Sequence, residues 1–219
     1  VQSLTEVITR ISSQQVTLRR SQSDLKKGQK TLRGRVAKRS VTLKKLDASL
    51  VSDKKKLGSL QRERSELEEI LSAVEEAVSE MTLPANYQPF LSRKGKLSWP
   101  LKGRVAHSYG SRRSGELRWE GWLISATAGA AVNAVHNGRI VFSNYLRGFG
   151  LLAIVDHGDG YMTLYAHNQE LLKDTGDWVQ SNEIIARAGD TGGLNKPALY
   201  FEIRSQGNPA DPKVWLEKR

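Results

Sequence analysis

From Val1 to Met81, apolar side chains recur every seven residues along two interleaved seams. One seam runs Val1, Ile8, Gln15, Gln22, Gln29, Val36, Leu43, Leu50, Leu57, Arg64, Leu71 and Val78. The other runs Leu4, Ile11, Leu18, Leu25, Leu32, Arg39, Leu46, Asp53, Leu60, Leu67, Val74 and Met81. Eight of the first twelve positions and ten of the second twelve are apolar in a stretch otherwise rich in charge, which predicts a coiled coil over residues 1–82. So narrow a stripe cannot be buried by its own helix. It requires a partner helix from the same chain, a second copy or another protein.

The register has a soft middle. Three glutamines in succession occupy one seam at Gln15, Gln22 and Gln29, and Gly28 and Gly34 each cost about 1 kcal/mol relative to alanine inside a helix. Residues 28–35 are therefore a candidate hinge or hairpin turn, the alternative being one uninterrupted helix. Asp53 and Arg64 break the seams, and polar residues at such positions commonly set register or partner choice at some expense in stability. The signal for a helix end lies at Thr82 to Pro84. Pro84 and Pro89 make residues 83–98 a linker that cannot stay helical, in which Tyr87, Phe90 and Leu91 are apolar enough to dock on the C-terminal half of the chain.

After Trp99-Pro100 the period changes from seven to two. Short β-branched and apolar runs separated by glycine pairs, such as RIVFS and YMTLYAH, predict antiparallel hairpins, with HGDG as the turn between LLAIVD and YMTLY. The predicted fold class is thus α plus all-β, a long helix followed by an antiparallel β domain over residues 99–219 with no helix longer than two turns.

Composition narrows the function classes. A chain of 219 residues suffices for one ordinary core plus an extension. The formal charge of +11 is spread over both parts: residues 1–82 hold 17 Lys/Arg against 11 Asp/Glu, and residues 83–219 hold 17 against 12. Such a balance favours anionic surroundings, but no nucleic-acid module or aromatic-interleaved basic patch accompanies it, so a nucleic-acid partner is not expected. No run of about 18 uncharged apolar residues is present to span a membrane. The segment VQSLTEVITR lacks the features of a signal peptide, as a mature exported protein would. With no cysteine, disulfides, thiolate metal sites and a cysteine nucleophile are excluded.

Between Leu97 and Leu216 the order WPLKGRVAHSYG, AVNAVHNGRIVFSN, GFGLLAIVDHGDGYMTLYAHN, GDWVQSNEIIARAGDTGG, LYFEIR and NPADPKVWL resembles the LytM, or lysostaphin-like, zinc metallopeptidase domain. In active members an HxGxD pattern and the second histidine of an HxH pair hold the metal. Alignment on Gly121 puts Trp119 at the histidine and Leu123 at the aspartate; alignment on Phe201-Glu202 puts Tyr200 at the second histidine and Ala198 at the first. Zinc requires nitrogen, sulfur or carboxylate oxygen at about 2 Å, and indole and isobutyl groups supply none. The resemblance therefore implies a degenerate domain with no cofactor and no enzyme activity. His167, from the YAH motif, is left as a relic, unable to activate water without the metal.

Strand periodicity supports one surface: Trp119, Gly121 and Leu123 share a face, as do Tyr200, Glu202 and Arg204. Trp and Tyr are types that anchor protein interfaces. The expected site is a partner-binding groove floored by Leu123 and Tyr200 and flanked by Trp119, with Arg204 as a charged rim and Leu152 and Glu120 as weaker members. On that basis Tyr200→Ala, Leu123→Glu and Arg204→Ala are each expected to abolish partner activation while leaving thermal unfolding nearly unchanged. A coiled coil joined to such a domain is similar to the murein hydrolase activators of Gram-negative bacteria. That resemblance implies a periplasmic protein at the division septum that activates peptidoglycan N-acetylmuramoyl-L-alanine amidases through the groove and engages the FtsEX ABC-transporter-like complex through the coil. It also implies that a stretch of the coil covers the groove until that complex moves it. The competing expectation is a peptidoglycan-binding module without an activator role, using exposed Trp119 and Trp122.

Overall fold

The computed structural model describes residues 2–78 and 88–218; Val78 closes the described helix, and the predicted helix end at Thr82 to Pro84, with Met81 and Tyr87, lies outside the described residues. Helix α1 (Gln2–Val78) is a single helix. It passes through residues 28–35 without a turn, and neither Gly28 nor Gly34 has another part of the chain within 4 Å of where a Cβ would be. Two glycine costs of about 1 kcal/mol each are borne because the flanking Lys, Arg, Leu and Gln are strong helix formers. Mid-helix hydroxyls are satisfied on the preceding turn, Thr17 Oγ1 donating to the Ser13 carbonyl at 2.9 Å and Thr31 Oγ1 to that of Lys27 at 3.0 Å.

Two compact units divide the chain within α1, residues 1–56 and residues 57–219. In the first, the seam residues from Ile8 to Leu50 that are described, such as Leu25, Leu43 and Leu46, are exposed. The last part of α1 belongs with the β domain.

That domain contains β1 (Val105–His107), β2 (Arg112–Ser114), β3 (Leu117–Arg118), β4 (Trp122–Ser125), β5 (Ala131–Asn133) and β6 (Gly138–Leu146). These are followed by β7 (Gly150–Asp156), β8 (Tyr161–Leu171), β9 (Trp178–Val179), β10 (Ile184–Ala188), β11 (Ala198–Ser205) and β12 (Asn208–Ala210). The main sheet runs β1-β4-β11-β8-β7-β6-β9, with β10 joining β5 to β8, β12 paired to β11, and β2-β3 as a separate ribbon. The strand pairings are antiparallel, as the alternation in the sequence predicts. Among its described residues, the helices of this domain are the 3-10 turns Phe90–Arg93 and Pro212–Val214.

The central strands are apolar on both faces. Tyr165 of β8, Ala153 and Val155 of β7, and Leu199, Phe201 and Ile203 of β11 pack into the main core. Their alternate neighbours Met162, Leu164 and Ala166, Leu152 and Ile154, and Ala198 and Tyr200 form a second cluster on the opposite face. From the linker, Phe90 is fully buried between His157 (ring centroids 4.7 Å apart), Trp215 (5.0 Å) and Tyr161 (5.2 Å), whereas Leu91 stays exposed. Leu97 then closes the domain on its C-terminal end, donating to the Trp215 carbonyl at 3.2 Å and accepting from the Glu217 amide at 2.9 Å.

Candidate functional site

The second apolar face carries the residues that the sequence assigns to a groove. Antiparallel register sets Leu123 opposite Tyr200 and Tyr200 opposite Ala166, so residues far apart in the chain share one floor. Gly121 allows the approach: a Cβ there would lie 3.0 Å from Cβ of Glu202 and collide with the Phe201 carbonyl. Trp119 enters from the segment between β3 and β4, stacked on His107 (5.2 Å, 10° between planes) with the Arg113 guanidinium 4.5 Å from its ring. Tyr200 is the hub, with Phe149, Trp119 and His167 rings at 5.7, 5.9 and 6.4 Å. Trp119, Leu123, Leu152, Ala198 and Tyr200 all fall in this single buried cluster.

From Tyr200 a polar row continues along β11. The Tyr200 hydroxyl donates to Glu202 Oε2 at 2.6 Å. Glu202 Oε1 and Arg204 Nη1 are 3.5 Å apart, close enough for ionic attraction but not aligned as a hydrogen bond, and neither atom has another partner among the described residues. Burial pushes the Glu202 carboxyl up to about 7, against the opposing pull of Arg204. The same burial, with the Glu202 charge beside it, holds the Tyr200 hydroxyl protonated, well above its usual value. Arg204 is only 6% exposed and its Nε donates to the Gly207 carbonyl at 3.0 Å. The expected charged rim is therefore an interior counter-ion, because β11 is a central strand and β12 folds back along it. Removing Arg204 would leave a buried carboxyl unpaired, so Arg204→Ala is destabilising as well, contrary to the expectation of unchanged unfolding.

His167 sits at the side of the cleft at a positive φ of 65°, its Nδ1 donating to the Thr191 carbonyl at 2.7 Å. Desolvation pushes it down to about 4, so it is neutral at physiological pH. The residues that the resemblance sets at metal-ligand positions do not fit zinc: Trp119 and Leu123 offer no lone pair, the Tyr200 hydroxyl is committed to Glu202, and Ala198 carries no donor. Among the described residues no group of three or more His, Asp or Glu could hold a metal ion. Trp122 is buried in the main core and Trp119 under the cleft, so neither supplies the exposed platform expected of a glycan-binding surface.

What covers this floor is the chain's own helix. Leu67 and Leu71 of α1 are buried in the cluster with Leu123 and Tyr200, and Ile70 and Val74 pack beside them. At the next turn Arg64 Nη2 pairs with Glu120 at 2.6 Å while its Nε reaches Glu68 at 3.0 Å. Sequence periodicity marks Leu67 and Leu71 only as seam residues and Arg64 as a seam break. Phe149 carries no such signal, although it stands between two glycines of positive φ, Gly148 and Gly150, whose turn projects it into the cleft.

Residues 118–212 match the model of Peptidase family M23. The chain is 43% identical over 123 residues to the murein hydrolase activator EnvC of Escherichia coli strain K12, covering 56% of this chain and 29% of that protein. It is 36% identical over 122 residues to the murein hydrolase activator NlpD of the same strain (55% and 31%). To the cell division protein DipM of Caulobacter vibrioides it is 34% identical over 142 residues (62% and 23%). The chain thus spans less than a third of the length of these curated relatives. Among solved structures, a putative M23 peptidase from Pseudomonas aeruginosa aligns with a TM-score of 0.54 at 20% identity over 71% of this chain and 61% of that one. A zinc-containing peptidase from Vibrio cholerae aligns at 0.51 and 23%, over 53% and 39%. At these identities the structural likeness concerns the fold alone.

Proposed function

We propose that this chain is a non-enzymatic activator of cell-wall hydrolases, namely of peptidoglycan N-acetylmuramoyl-L-alanine amidases at the division septum in the periplasm, and that it binds them through the former zinc cleft. The observation that carries this reading is the seating of Leu67 and Leu71 on Leu123 and Tyr200: an apolar floor stands where metal ligands would be, and an amphipathic helix lies in it. The names of the activator relatives support the same direction. Activation then proceeds as a population shift. An amidase whose own helix blocks its active site is opened when that helix binds better in this cleft than at home, and only this differential affinity does the work. Residues 57–74 of α1 compete for the same floor, so the cleft is closed at rest. The FtsEX complex, engaging the coil, draws that segment away. No helix of the described residues is long and apolar enough to cross a membrane.

Dye release from labelled peptidoglycan by a division amidase tests this. The chain alone should release nothing, the mixture with the full chain should release little, and the mixture with a Leu67→Glu/Leu71→Glu chain should release much more. Release by the chain alone would make it a hydrolase and remove the reading. A folded double variant that leaves the amidase inactive would remove the activator role.

A further inference from the structure

One seam position of the docked segment is not apolar. Leu57, Leu60, Leu67 and Leu71 keep the pattern, and between them stands Arg64. A leucine there would continue the stripe. The reason for the arginine lies across the cleft: around this end the β domain contributes Arg113 and Arg118 with the carboxylates Glu116 and Glu120, and it is to Glu120 that the Arg64 guanidinium is directed, at 2.6 Å. Its other edge is held at 3.0 Å by Glu68, one turn along the same helix, so the fork is oriented before it meets Glu120. On the opposite wall Glu63 stands against Gly148, where a Cβ would collide with its carboxylate and come within 2.7 Å of its Cγ. Neighbouring residues of one helix thus address two different walls, which sets the direction and register of any helix in the cleft.

We infer that Glu120 is the specificity-determining residue of the cleft, and that it selects a partner helix carrying an arginine three residues before the first, and seven before the second, of two buried leucines, with a glutamate four residues after that arginine. Residues 64–71 are the chain's own copy of this signature. The inference rests on the reading of the cleft as a helix-exchange site. An apolar floor accepts many amphipathic helices with similar affinity; a half-buried carboxylate at its edge rejects those that place an acid or nothing opposite it. Because the Arg64 side chain is about half exposed, the attraction itself is modest. Discrimination comes chiefly from the mismatched pair.

The test uses the full chain in three forms, Arg64→Glu, Glu120→Arg and the double variant, with near-UV circular dichroism confirming that the β domain is intact. Hydrogen exchange across residues 57–74 should speed up roughly tenfold in each single variant and return to within about twofold of the parent in the double one. A fluorescein-labelled peptide with the sequence of residues 57–78 should bind the Arg64→Glu chain about tenfold more tightly than its own Arg64→Glu version does, and the preference should reverse on the Glu120→Arg chain. In an Arg64→Glu/Glu120→Gln chain the preference should vanish. Equal binding of the two peptides to both chains, or no restoration in the double variant, would overturn the role of Glu120 while leaving the cleft a helix site. Failure of either peptide to bind any chain whose residues 57–74 exchange freely would overturn helix docking itself, and the selectivity with it.

Discussion

Residues 8–51 and 57–74 of α1 carry the same seven-residue alternation in one continuous helix, yet their leucines have opposite environments. Leu43 and Leu50 are 49% and 57% exposed; Leu67 and Leu71 are 2% and 4% exposed. The flanking charge differs too: residues 19–56 hold 14 Lys/Arg against 3 Asp/Glu, whereas residues 57–78 hold 2 against 6. A heptad pattern therefore states that a seam needs covering without stating by what. In the second segment the cover is an apolar β-sheet face.

The contrast can be broken most forcefully at the seated leucines. Leu67→Ala and Leu71→Ala should each cost about 2–4 kcal/mol of local stability, by lost burial and an unfilled floor, read as faster hydrogen exchange over residues 57–74. Protection that does not change would mean the segment is not held by the cleft. The polar row beneath should show next, through pH. The Glu202 carboxyl is raised to about 7 from an ordinary value near 4.5, so the stability linked to its proton is present below about 4.5 and is lost as pH rises through 7. His157 and His167, lowered to about 3 and about 4, contribute in the opposite sense, their stability being present above about 6.5 and lost as pH falls through those values. Subtracting wild type from Glu202→Gln cancels the histidines. The stability of the Gln variant relative to wild type should rise from pH 4.5 to 7 and stay constant above, as measured by urea unfolding; a difference that does not change with pH would place an ordinary carboxyl there. In the exposed part, Gly34→Ala should stabilise the helix by about 1 kcal/mol, seen in its thermal melt by far-UV circular dichroism, because nothing stands where the Cβ would go. Smallest of all, Leu43→Ala in the isolated chain should shift unfolding by no more than about 0.5 kcal/mol. A larger loss would reveal a partner on that seam in solution.

Much of the cleft was legible in advance because strands have a period of two. With Leu123 and Tyr200 at the positions the family resemblance singles out, alternation alone puts Trp119 with Leu123, and Tyr200 with Glu202 and Arg204. Alternation does not report depth. Arg204 reads the same on an edge strand or a central one, and only the pairing of β11 with β4, β8 and β12 makes it an interior charge rather than a rim. The same ignorance of depth hid how fully Glu202 and Trp122 are buried.

Residue identity by itself determined a helix with an apolar seam and, after it, an antiparallel β domain of the M23 peptidase fold. Those properties follow from local spacing and from the chemistry of single side chains. Tertiary structure decided that the helix runs unbroken through Gly28 and Gly34, that Leu67 and Leu71 are buried against the apolar face of the β domain, and that Arg64 meets Glu120. Each of these depends on surfaces brought together from distant parts of the chain, where burial and charge pairing are set by neighbours that no periodicity in the sequence encodes.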